Sequence, residues 1–268
     1  MYLDGLLIMR KNALTVTLAA LVAGVFGAFV RWLQNMNAFE EDTGLQIIGA
    51  KTGILMVVYL IAAAALFALA AGYVQKRMRA PEGGRALFFA KTRTPCVLAK
   101  LLSAVTAVGS VLLIVQAGDF EYPSAPRILG ICGLACSAVC AVGYYTAPDR
   151  PVMRPWVSLA PVLFGCVWLI VSYKNNAEDP VVWHYVIEIL ALCAAIMGRY
   201  ELAALFYRKN AKSAYAMLFS ALAVMLCVTA LADSRPMCMQ LLFAAEAAWQ
   251  ATTLFVMAEN LLPAEKNQ

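Results

Sequence analysis

The feature that most constrains this chain is a succession of long apolar runs, each near the 20 residues or so that one helix needs to cross a hydrocarbon core. Eight follow one another, at approximately 13–35, 53–75, 95–117, 128–147, 156–173, 182–206, 214–232 and 237–260. The connections are short and hide no soluble domain. Inside a bilayer the backbone has no water to bond, so segments of this length and character fold as helices. The expected fold class is therefore all-α, a polytopic transmembrane helical bundle of about eight spans. Composition agrees, with 63% hydrophobic and 14% charged residues among 268 and a mean hydropathy of +0.74, values that describe a chain solvated largely by lipid.

The basic residues give a topology. If the N-terminus is cytoplasmic, the inner segments hold Arg10, Lys11, Lys76, Arg77, Arg79, Arg85, Lys91, Arg93, Arg150, Arg154, Arg208, Lys209, Lys212 and Lys266. The outer segments hold only Lys51, Arg127, Lys174 and Arg235, and Arg31, Lys100 and Arg199 stay within spans. Cytoplasmic loops retain Lys and Arg, so this bias places both termini in the cytoplasm of a bacterial-type plasma membrane. Arg10 and Lys11 also resemble the basic start of a signal peptide, but the run continues through Arg31 and Trp32 without a small-residue cleavage site and reads as a retained span. The net charge of +5 is spread over loops rather than one face, so nucleic acid is not an expected partner. The lipid bilayer is.

On this topology "NAFEEDTGLQ" (37–46) is an outer loop, and Glu40, Glu41 and Asp42 are expected to be solvated carboxylates rather than a cation site. The eight cysteines lie in or beside apolar runs, where their small size favours helix packing. Cys132, Cys136 and Cys140 recur on one helix face, a soft-metal pattern. One straight helix rarely offers more than two ligands to one ion, so no metal site and no cofactor is assigned. "GICGLACSAVCAVG" (130–143) is read as a central helix, Gly24 and Gly27 as a close crossing, and Pro161 as a kink.

The turn "APDRPVMRPW" (147–156) divides the chain into two four-helix halves, 1–150 and 151–268, within one membrane domain. "LAALVAGVFGAFVRWLQNM" (18–36) aligns without gaps on "LAPVLFGCVWLIVSYKNNA" (159–177), which suggests a 4+4 parallel tandem repeat. Transporters of that design bind substrate between the halves.

Ionisable groups inside spans are costly and tend to mark function. Arg31, Lys100, Arg199, Glu201 and Glu259 fall near span ends, where long side chains reach the interface. Glu188 and Glu246 fall deeper. Glu246, Gln250 and Thr253 share a face of the last span, and His184 stands one turn before Glu188. The candidate intramembrane polar centre is thus Glu188, Glu246, Arg31, Gln250 and His184, in which Arg31 neutralises one carboxylate and leaves the other to take a proton or cation. The competing reading is that Arg31 and one Glu form a packing ion pair.

No phosphate loop, HExxH, GxSxG or dinucleotide fingerprint is present, and no catalytic residue is assigned. "FEEDTGL" and "LIVSYKNNAEDPVVWHYVIEILAL" resemble multi-pass membrane proteins of clostridial-type Firmicutes, a resemblance that carries no activity and no site residue. Two functions follow from the residues themselves. One is a small permease for a solute, coupled to protons or a cation. The other is a non-transporting membrane subunit, sensor or assembly factor, with a protein partner or a second copy of the chain bound and the buried charges holding helices together. A lipid-modifying enzyme is a more distant reading.

Overall fold

The computed structural model describes residues 2–40, 42–79, 86–87, 89–143, 145, 155–207 and 213–263. Among the described residues eight α-helices are found: α1 (Tyr2–Asn37), α2 (Lys51–Arg77), α3 (Thr94–Val115), α4 (Ser124–Gly143), α5 (Ala160–Asn175), α6 (Val186–Tyr207), α7 (Ser213–Ala230) and α8 (Met237–Asn260). Each contains a stretch long and apolar enough to cross a membrane. The chain is an all-helical multi-pass membrane protein, apart from a two-residue pairing of β1 (Met78–Arg79) with β2 (Leu262–Pro263).

Local chemistry sets several helix ends. Pro95 opens α3, and Pro161 sits in the first turn of α5, where a missing N–H costs nothing because that donor is unpaired in any helix. Pro161 therefore starts a helix rather than kinking one, which corrects the expectation from sequence. Lys76 and Arg77 close α2 beside its free carbonyls. In the 38–50 connection Phe39 bridges to Gln46, and Gly44 and Gly49 take φ of +66° and +78°, a conformation that glycine adopts without strain.

Burial is uneven. In the most apolar stretch of α8, 78% of residues are inside the bundle, and in α7 67%, but in α2 only 17%. α7 packs on α1, α2, α6 and α8, while α8 packs on α1, α3 and α7. α3, α4, α5 and α6 continue the circuit by neighbouring contacts, and aromatic side chains from α5 and α8 fill the space it encloses. The "GICGLACSAVCAVG" helix, α4, touches chiefly α3 and α5, so α7 and α8 are the central elements instead. The sequence halves interleave, because α1 and α2 lie against α7, and α3 lies against α8.

Close crossings occur where glycine permits them. A methyl on Gly24 would stand 2.7 Å from Cβ of Val228, and one on Gly27 only 2.3 Å from Oγ1 of Thr229. α1 therefore meets α7 backbone to backbone, as small residues allow in membranes. At Gly133 the clash would be with Ser110 Oγ at 2.2 Å, which brings α4 equally close to α3.

The helices alternate in direction and divide the molecule into two ends. The connections around 38–50, 116–123, 176–185 and 231–236 gather at one end, the distal end. At the terminal end, Lys91 donates to the Glu259 carbonyl at 2.5 Å, and Asn260 donates to the carbonyls of Leu87 and Phe89 at 3.2 and 2.7 Å. Glu40 and Asp42 are exposed, and Glu40 accepts a hydrogen bond from Thr43 at 2.6 Å. Glu41, Arg85, Arg150, Arg154, Arg208, Lys209, Lys212, Lys266 and most of the 147–156 turn lie outside the described residues.

Candidate functional site

Among the described residues two buried ionic clusters exist where one was expected. At the distal end Arg31, 1% exposed, spends all three guanidinium nitrogens: Nε on Asp233 at 2.7 Å, Nη1 on Gln34 at 2.8 Å, and Nη2 on the Trp183 carbonyl at 2.7 Å. Asp233 in turn accepts from Asn35 at 3.1 Å and from Arg235 at 3.0 Å. Arg235 also pairs with Glu188, and Glu188 accepts a hydrogen bond from Ser172. The cluster thus balances two guanidinium groups against two carboxylates, with nearly every group hydrogen-bonded as burial of charge requires.

Arg31 neutralises Asp233, then, and Arg235 neutralises Glu188. The charge bias puts Arg235 in an outer loop, but the hairpin between α7 and α8 is only six residues long, from Leu231 to Pro236. So short a turn cannot lift its side chains clear of the surrounding helices. Burial, with the Arg31 guanidinium nearby, lowers the Arg235 pKa to about 10, which leaves it protonated at neutral pH.

The second cluster lies deeper. Glu246 binds Arg199 in a bidentate pair, 2.8 Å to Nε and 2.6 Å to Nη2, the geometry in which guanidinium and carboxylate interact best. Gln250 adds a bond to Glu246 at 2.9 Å and another to the Ala195 carbonyl at 3.2 Å. Arg199 also lies 5.5 Å from the Trp249 ring centroid, a cation–π contact. Arg199 does not reach the interface as expected, because Glu246 on α8 holds its guanidinium inside the bundle, about two turns before α6 ends at Tyr207. Residues 182–184 form a separate short turn and α6 begins at Val186, which puts Glu188 in its first turn.

The structure therefore brings Glu246 to Gln250, but neither to Glu188 or Arg31. Eleven residues separate Glu188 from Arg199, and eleven separate Arg235 from Glu246. On a helix that interval is three turns, so both α6 charges share a face, about 16 Å apart. The pairs are stacked with reversed polarity: carboxylate on α6 and guanidinium on the hairpin above, guanidinium on α6 and carboxylate on α8 below.

Between them is an aromatic layer. Phe243 packs on Trp168 with centroids 4.8 Å apart, Trp168 on Phe164 at 5.7 Å, and Arg235 lies 5.7 Å from the Phe243 ring. Beyond the second pair, Trp249 contacts Tyr145 at 6.1 Å, and Tyr145 bonds the Thr253 hydroxyl at 2.8 Å.

The distal cluster forms the floor of a cavity of about 590 Å³, within the 300–1,000 Å³ usual for small-molecule sites. Arg31, Asn35, Ser172, Glu188, Asp233 and Arg235 line it from below, with Asp119, Glu121, His184, Phe39, Phe120 and Met239 among the residues around them. His184 stands at the rim, bonded to Asp179 at 2.7 Å and packed on Phe39 with centroids 5.0 Å apart.

Beside the cavity Tyr122 donates to Glu178 at 2.5 Å, and Lys174 lies 4.9 Å from the Tyr122 ring centroid, clasping the α3–α4 and α5–α6 connections together. Sharing a hydrogen bond with Glu178 raises the Glu121 pKa, and the bonds from Tyr122 and Glu121 lower that of Glu178.

Among the described residues no group of three metal-capable side chains occurs. Cys136 and Cys140 approach to 4.0 Å, and the eight cysteines carry no disulfide. No family model, curated protein or solved structure matches the chain.

Proposed function

We propose that this membrane protein is a small permease whose distal cavity is the entry vestibule for a polar solute. The observation that carries the reading is the cavity itself, which descends from the distal surface onto paired charges that a solute can compete for. Soluble-type catalysis has no motif here, and buried ionisable groups facing a cavity are the usual mark of a solute or ion path in membrane proteins.

The route follows α8. Met239, Phe243, Glu246, Gln250 and Thr253 recur at three- and four-residue spacing, so vestibule, aromatic layer, second ion pair and the Tyr145 contact lie along one helix face. A solute that loosens Arg235 from Glu188 weakens the floor. A shift of Trp168 against Phe243 then opens the way to Arg199 and Glu246, and return of the aromatics closes the vestibule behind it. That sequence is alternating access with the aromatic layer as the gate. The excess of Lys and Arg in the terminal-end loops supports a cytoplasmic terminal end and an outward-facing vestibule.

A second reading is favoured by one observation. Arg199, Glu246 and Gln250 satisfy one another and lie off the cavity, the arrangement expected of charges that only fix helix packing in a non-transporting subunit.

The two part on water access. In a background with the native cysteines replaced, single cysteines at Ser234, Gln250 and Thr253 are probed with a membrane-impermeant thiol reagent from each side of oriented vesicles. A permease exposes Ser234→Cys on the vestibule side, and Gln250→Cys or Thr253→Cys slowly from the opposite side. If Ser234→Cys reacts while the deeper two stay inert from both sides, the centre is a static, dry bundle and the permease reading fails.

A further inference from the structure

The vestibule's charge layout specifies its ligand, and we infer that it binds a small zwitterion, with an ammonium and a carboxylate on one molecule, of the amino-acid or short-peptide class. The inference rests on the vestibule proposed above as a solute site and adds the chemistry of the solute.

The floor is electrically balanced, Arg31 and Arg235 against Asp233 and Glu188. The rim is not. Asp119 and Glu121 line the cavity, Asp179 stands behind His184, and Lys174 is held against the Tyr122 ring. A free anion therefore meets net negative charge on entry, whereas a simple cation gains from the rim but finds guanidinium groups beneath it. A molecule carrying both charges, ammonium toward Asp119 and Glu121 and carboxylate toward Arg235, meets a favourable partner at each end.

Unsatisfied atoms point the same way. Arg31 has no spare nitrogen, but Arg235 Nε is a buried donor with no hydrogen-bond partner, and Asn175 Oδ1 is a buried acceptor with none. Both residues line the cavity. One unmatched donor and one unmatched acceptor are what a zwitterion completes, since a buried polar group left unpaired is costly. Neither atom is open to solvent, so a bound group reaches them as Arg235 shifts from Glu188. Phe39, Phe120 and Met239 supply apolar wall for a hydrocarbon side chain.

The test uses four probes of one skeleton: L-leucine, the dipeptide Leu-Leu, L-leucinamide, which lacks the carboxylate, and N-acetyl-L-leucine, which lacks the ammonium. Each is added to vesicles carrying Ser234→Cys while labelling is followed, and separately to the purified wild-type protein during thermal unfolding. Leucine or Leu-Leu should slow labelling about tenfold at ten times its dissociation constant and raise the melting temperature, and which of the two does so separates free amino acid from peptide. Leucinamide and N-acetyl-leucine should do neither. Equal protection by leucinamide makes the site cationic and overturns the inference, as does protection by N-acetyl-leucine or by none of the four. Those failures leave the permease reading standing if Gln250→Cys and Thr253→Cys still react from the terminal side. Inertness of those two positions sinks that reading whatever the probes do.

Discussion

At the scale of single residues, the deep ion pair is the feature with the sharpest consequences. Glu246→Ala leaves Arg199 buried without a counter-charge, and loss of one partner of such a pair costs about 3–5 kcal/mol. Replacing both, Arg199→Met with Glu246→Leu, should cost far less, so the double variant is expected to melt in detergent well above either single one. If the pair also serves transport, the stable double variant loses the reactivity of Gln250→Cys and Thr253→Cys from the terminal side. Retention of that reactivity would assign the pair to packing alone. The sequence singles out Glu188 and Glu246 because acids in apolar runs are rare, and both are buried. It conceals their partners for two reasons. Arg199 stands about two turns before the end of its span, close enough for a long side chain to be assigned to the interface, and the residues of the α7–α8 hairpin look solvated because loops usually are. Two signals were available: eleven residues put Glu188 and Arg199 on one face of α6, and six residues between α7 and α8 are too few to carry a charged pair clear of the bundle.

Between elements, glycine decides where helices touch. Gly27→Ala places a methyl 2.3 Å from Thr229 Oγ1, and overpacking of that sort costs about 1–3 kcal/mol. Gly72→Ala in α2 has nothing within 4 Å and should gain roughly 0.5–1 kcal/mol from helix propensity. Thermal unfolding of the two variants is expected to move in opposite directions. The small-residue pattern of 130–143 does mark a close approach, to α3, but not a central position. Pattern reports how near two backbones can come, and centrality depends on how many helices surround the element.

The clasp between the α3–α4 and α5–α6 connections responds to pH. Glu121 is raised by Glu178, so its contribution is full below its unfolded pKa and lost as pH rises through the raised value. Glu178 is lowered by Tyr122 and Glu121, so its contribution is present above its unfolded pKa and lost as pH falls through the lowered one. The clasp is tightest between the two, near the ordinary carboxylate range. A spin label on Gly118→Cys should be least mobile there, and Glu121→Gln should abolish the loosening at higher pH.

For the whole molecule, the eight spans were legible because lipid solvation leaves no other way to satisfy the backbone. Which helix is central was not, since all eight are comparably apolar and only packing separates α8 from α2. The charge bias predicts that reporters fused to either terminus are cytoplasmic and that Ser234→Cys reacts from outside. Reaction from the cytoplasmic side would invert the assignment. The reversed order of the stacked ion pairs has an electrical corollary. The two buried charges of α6, Glu188 and Arg199, are opposite in sign, and Glu201, two residues beyond Arg199 on another face, is partly exposed. Moving one elementary charge through 100 mV costs about 2.3 kcal/mol, but a helix that carries one charge of each sign through the field does almost no net work. Rocking of α6 against α8 is then insensitive to membrane voltage, and with a zwitterionic cargo an imposed potassium diffusion potential should leave the rate of exchange unchanged.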